Sequence, residues 1–65
     1  MILQPHQQRV VDEKRDLDVK RTALGAFFNT QIFSSLPEGE RERMHRQADA
    51  MDAYSIALGD RIDSF

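Results

Sequence analysis

The residues able to do chemistry are few in this 65-residue chain, and they lie far apart. Cysteine is absent, which removes disulfides, thiolate metal sites and cysteine nucleophiles together. The two histidines, His6 and His45, fall on different segments, so they share no site, and neither is expected to hold a structural metal or to act in catalysis. No nucleophile elbow, phosphate-cradling glycine loop or paired-carboxylate site occurs. The expectation is a protein that is not an enzyme, with no catalytic residue, no cofactor and no metal. What remains is the chemistry of recognition: the ring of Tyr54, the amide of Gln47, and the cations Arg9, Lys14 and Arg61.

Each of these residues admits two readings. Tyr54 is either an aromatic at the edge of the core, its hydroxyl reaching water, or a platform on which a base stacks. Gln47 sits on an otherwise apolar stripe, where a buried amide must find partners. It would either fix the register of an oligomer or read a ligand's polar edge. Arg9 and Arg61 fall at the same end of the molecule, with Glu13 one turn from Arg9. That describes either a surface ion pair or a clamp on a phosphate or carboxylate. Arg41, Arg43, Arg46 and His45 are interleaved with Glu38, Glu40 and Glu42, a self-paired solvated face. Met44 and Met51 read first as core filler.

The elements that must position these groups follow from apolar spacing. Met44, Gln47, Met51, Tyr54, Leu58, Arg61 and Phe65 recur at three and four residues, one stripe of a helix over about 36–64. Ser35-Leu36-Pro37-Glu38 has the serine-to-glutamate spacing of a capping box, with proline in the first turn, and so predicts where that helix starts. Upstream, Val10, Leu17 and Leu24 recur every seven residues and Phe28 follows four later, predicting a helix over about 5–28 that opens at Pro5. Gly25 is a weak point near its end or a site of close backbone approach. Residues 29–35 form the turn, where Asn29 terminates, Thr30 caps a single tight turn, and Phe33 and Leu36 fold back as a plug.

A short connection makes the two helices an antiparallel hairpin. With Phe28 set near Glu40, paired residue numbers sum to roughly 68, which brings Lys14 level with Tyr54 and Arg21 with Gln47. The fold class expected is all-α, a helical hairpin forming one domain over residues 1–65. A chain of this size buries only about 60% of its unfolded surface, and each apolar stripe is wider than one partner helix covers. Assembly into a homo-oligomeric helical bundle is therefore expected.

Charge narrows the partners. The net charge is −2, and the basic groups form no dense stripe suited to a nucleic-acid backbone, so DNA is not expected. No apolar run approaches the ~20 residues needed to span a bilayer, and a cytoplasmic protein is the expectation.

Gln8-Arg9-Val10-Val11-Asp12-Glu13, Leu24, Phe27-Phe28 and Phe33-Ser34-Ser35-Leu36-Pro37-Glu38 together with Gln47, Met51, Tyr54-Ser55, Leu58, Arg61-Ile62 and Phe65 resemble a family of very small proteins from tailed phages and prophages, crAss-like phages among them. That family is in turn similar, more distantly, to the helical-hairpin sponges that phages use against CBASS and Thoeris immunity. The resemblance implies an oligomer that sequesters a cyclic nucleotide or cyclic ADP-ribose signal without cleaving it. It also implies a pocket between protomers, with an aromatic ring on a base and basic groups on phosphates. Tyr54 is the tyrosine available for that role, with Arg9, Lys14 and Arg61 as the cations and Gln47 beside them. The rival expectation is a small helical inhibitor or adaptor, anti-CRISPR-like, that docks an uncovered apolar face on a host protein.

Overall fold

The computed structural model describes residues 2–65. Three helices follow one another: α1 (Pro5–Phe27), α2 (Gln31–Ser35) and α3 (Glu38–Asp63). The two long helices run antiparallel against each other as a rod of 48 × 15 × 14 Å.

α1 opens with Pro5 in its first turn, where a missing N–H costs nothing, and the Gln4 amide donates to the Gln7 side chain at 2.9 Å. At the other end the chain turns through Phe28 and Asn29. Thr30 then caps α2, its hydroxyl oxygen accepting from the Phe33 amide at 3.2 Å while donating to the Phe27 carbonyl at 2.7 Å. The expected tight turn is thus a helix in its own right.

The capping box at Ser35 does not form. Ser35 ends α2, and its hydroxyl donates to the Ile32 carbonyl at 2.8 Å. Leu36 and Pro37 are extended, and α3 begins at Glu38, two residues later than the spacing predicts. The local signature is overridden because Phe33 must be buried: it meets Phe28 with ring centroids 4.8 Å apart and Phe27 at 6.0 Å, and both rings lie on the preceding helix end. Keeping Ser35 helical within α2 delivers Phe33 there. His45, from α3, closes the plug by stacking on Phe28 at 4.5 Å.

α2 also resets the register. Phe28 stands against His45, Arg21 bonds Asp52, Asp18 bonds Ser55, and the Lys14 side chain lies 3.5 Å from where a Cβ on Gly59 would stand. The residue numbers in each of these four pairs add to 73 rather than the expected 68. The five-residue α2 carries the chain further before it turns back, so every partner on α3 moves down by more than a helical turn.

The seam between α1 and α3 has two unlike edges. One is apolar: Val10, Leu17 and Leu58 are buried, with Met51, Ile62 and Phe65 packed against them. Leu58, at 1% exposure, is the most enclosed side chain in the rod. The other edge is ionic and centres on Ser55.

Candidate functional site

Helical spacing places Lys14, Asp18 and Arg21 in one row on α1, facing α3. Asp52 and Ser55 answer them from α3. Ser55, only 3% exposed, donates its hydroxyl to Asp18 Oδ1 at 2.6 Å and accepts from Lys14 Nζ at 2.8 Å and Arg21 Nη1 at 3.3 Å. Lys14 Nζ also donates to Asp18 Oδ2 at 2.9 Å. Arg21 spans both acids, with Nη1 on Asp18 and Nη2 on Asp52, each at 2.9 Å. The hydrogen bond from Ser55, followed by those from Lys14 and Arg21, holds the Asp18 carboxyl far below the usual carboxylate range. The bonds to Asp18 and then Asp52 push the Arg21 guanidinium above its ordinary value. Two cations and two anions balance here, each bonded within the group while part of every charged side chain stays in solvent. This is a lattice that fastens two helices rather than an open ligand site.

The opposite side of the rod carries the groove. Arg9, Asp12, Glu13, Asp16, Leu17 and Lys20 of α1 and Tyr54 of α3 line an open depression of about 460 Å³. Leu17 gives it an apolar floor continuous with the core, and Tyr54, 45% exposed, gives it an aromatic wall. Asp12 accepts from Gln8 at 3.0 Å and from Arg15 at 3.1 Å, and Asp16 lies 3.6 Å from Arg15. Arg15 thereby bridges two of the three carboxylates, and its single positive charge leaves the groove with its surroundings balanced. Among the described residues Arg9, Glu13 and Lys20 form no ion pair, so two cations and one anion stand free beside the ring. An aromatic face flanked by free cations suits a flat, partly anionic ligand: the ring stacks, and the guanidinium and ammonium meet negative oxygens.

Of the residues singled out from sequence, Arg9 and Tyr54 do share this groove. Lys14 does not, because the register shift takes it from Tyr54 to Ser55 and Asp18. Gln47 is exposed rather than buried, because it shares the outer row of Tyr54 and Arg61 and not the row of Met51, Ser55 and Leu58 that faces α1. Arg61 is exposed in the last turn of α3, on the same face as Tyr54 two helical turns away. Lys20 lines the groove without having been singled out, as do Asp12 and Asp16, while Glu13 enters it beside Arg9 without pairing to it. The spacing Arg9–Glu13–Asp16–Lys20, at four, three and four, marks one face of α1 and carried that signal. Among the described residues no cluster of three or more His, Asp or Glu stands ready for a metal ion, and no helix is long and apolar enough to cross a membrane.

Comparison with known proteins adds one finding. Neither a curated protein nor a solved structure matches the chain. A family model does, over residues 4–64, and its name speaks of sequestering, an act of binding rather than of chemical conversion. By that match, which takes in α1, α2, α3 and every residue of the groove, the chain belongs to the Sequestin family.

Proposed function

We propose that this protein binds and sequesters a small nucleotide signal of host immunity, of the cyclic nucleotide or cyclic ADP-ribose type, without cleaving it. The carrying observation is the groove at Tyr54: a half-exposed ring beside the free cations Arg9 and Lys20, on an apolar floor. Membership of the Sequestin family supports the act of binding, and the phage-protein resemblance supports immune evasion in the host cytoplasm as its setting. The base lies against Tyr54 and the phosphates meet Arg9 and Lys20. Arg61 and Gln47 lie on the same exposed face of α3 and reach the ligand from a neighbouring protomer in a homo-oligomeric bundle. Assembly also converts an open depression into an enclosed pocket, where charge–charge attraction is less screened.

Calorimetric titration of the purified protein against cyclic di- and trinucleotides and cyclic ADP-ribose isomers tests the reading. Tight binding of one class, with the ligand recovered intact, is the expected result. A flat panel would overturn it and favour the second reading, a protein-binding inhibitor. That alternative draws on the apolar side chains left exposed at Val19, Ile32 and Ile56.

A further inference from the structure

Charge changes sign twice along the Tyr54 groove. Arg9 stands at one end and Lys20 at the other, eleven residues and about 16 Å apart on α1. The register that bonds Asp18 to Ser55 sets Tyr54 level with Val19, beside Lys20. Glu13 lies between the cations, one turn from Arg9 and two from Lys20, on the same face of α1. Arg15 lies against both Asp12 and Asp16, whereas Glu13 forms no ion pair among the described residues. Glu13 is exposed, as Arg9 and Lys20 are. Counting Arg15, three cations face three carboxylates, and Glu13 is the group that brings the sum to zero. A groove that had only to hold phosphate would do so better without it, because a carboxylate beside bound phosphate oxygens repels the charge they carry.

We propose that Glu13 is a specificity-determining residue of this groove, turning away nucleotides that end in a free phosphate, ATP above all, and so reserving the groove for those whose phosphates are all internal. The proposal rests on the reading of the groove as a nucleotide site. A phosphate esterified on both sides has one ionisable oxygen left, whereas a terminal phosphate carries about −1.5 to −2 charges at pH 7. With its base on Tyr54, a nucleotide places its first phosphate within reach of Lys20 and extends toward Arg9 past Glu13. An internal phosphate crosses that point with a single charge. A triphosphate brings several charges in one contiguous chain and meets the carboxylate before it gains the second cation. Discrimination of this kind comes from a repulsive group set against the wrong ligand rather than from added contacts for the right one. It matters to a sequestering protein because nucleoside triphosphates far outnumber any signal in a cell and would otherwise fill the site.

Calorimetric titration of the full chain with magnesium-free ATP tests this directly. Wild type should bind ATP weakly at low ionic strength. Glu13→Gln keeps the shape of the side chain and removes its charge, and should bind ATP about five-fold tighter or more, with Glu13→Lys going further. Adding Arg9→Ala to Glu13→Gln should cancel the gain, which locates it in the groove, and added salt should shrink it. Glu42→Gln makes the same change of net charge at an exposed position near the other end of α3, and should leave ATP binding as it is. Circular dichroism checks that each variant keeps its helices. Tight binding of ATP by wild type, an affinity unmoved by Glu13→Gln, or one raised as much by Glu42→Gln would overturn the proposal. The wild type's response to the cyclic nucleotide panel is a separate result. Binding there, with no gain on ATP in Glu13→Gln, removes the role of Glu13 alone. A flat panel with the gain present overturns sequestration and leaves the repulsion by Glu13 standing.

Discussion

At Ser55 one hydroxyl serves three charged groups, giving its proton to Asp18 and its lone pairs to Lys14 and Arg21. The strain on this arrangement comes from acid. Asp18 has its carboxyl pKa depressed in the folded state, so its contribution to stability is fully present above the unfolded value of about 4 and is lost as pH falls toward the folded one. Acid titration followed by circular dichroism should show wild type losing stability steadily below about pH 4. Asp18→Asn should be less stable at neutral pH and flatter through that acid range. Identical curves for the two proteins would show that Asp18 is not the titrating group. Tyr54 belongs to the other kind of residue, half out in solvent with little packing to lose. Tyr54→Ala should therefore leave the melting temperature within a few degrees of wild type while weakening ligand binding ten-fold or more, in keeping with about 1–3 kcal/mol for stacking a base. Arg9→Ala should act likewise, through the phosphate. Calorimetry on the folded variants separates these effects from a general loss of structure.

Among the elements, the long helices were legible from apolar spacing and the site was legible only in part, for one physical reason. Heptad spacing fixes which face of a helix turns inward but says nothing of how far a hairpin slides along itself. That distance depends on the link, where the Ser35 hydroxyl serves the Ile32 carbonyl behind it instead of the amide ahead that its spacing to Glu38 suggests. Thr30, read as a cap, is one. The five residues of α2 then displace every cross-helix pair, which is why Lys14 stands at Ser55 rather than level with Tyr54. The ionic seam had a visible trace in the spacing of Lys14, Asp18 and Arg21, but nothing in sequence identified Ser55 as its buried centre. Gly25 resolves its two readings in favour of a weak point. A Cβ built there meets nothing within 4 Å, so no backbone approaches closely. Gly25→Ala should accordingly stabilise the protein by about 0.5–1 kcal/mol, a rise of several degrees in melting temperature. A destabilised variant would mean that this stretch of α1 is covered in the assembled protein.

For the whole molecule the governing fact is thinness. Among the described residues four apolar side chains, Val10, Leu17, Phe33 and Leu58, are buried in the single chain, which is little for a rod 48 Å long. If copies associate, association and folding are linked by mass action, and the melting temperature should climb with protein concentration across a hundred-fold range. A melting temperature indifferent to concentration would mark a self-sufficient monomer. Thinness bears on turnover as well. A rod with so little interior opens often, and each opening shows its backbone to proteases. Whatever binds only the closed form, a second copy or a captured signal, lowers the frequency of those openings and lengthens the protein's life. If the protein is the scavenger proposed, it should be cleared quickly while idle and persist while loaded, so that its abundance follows the amount of signal it has to hold.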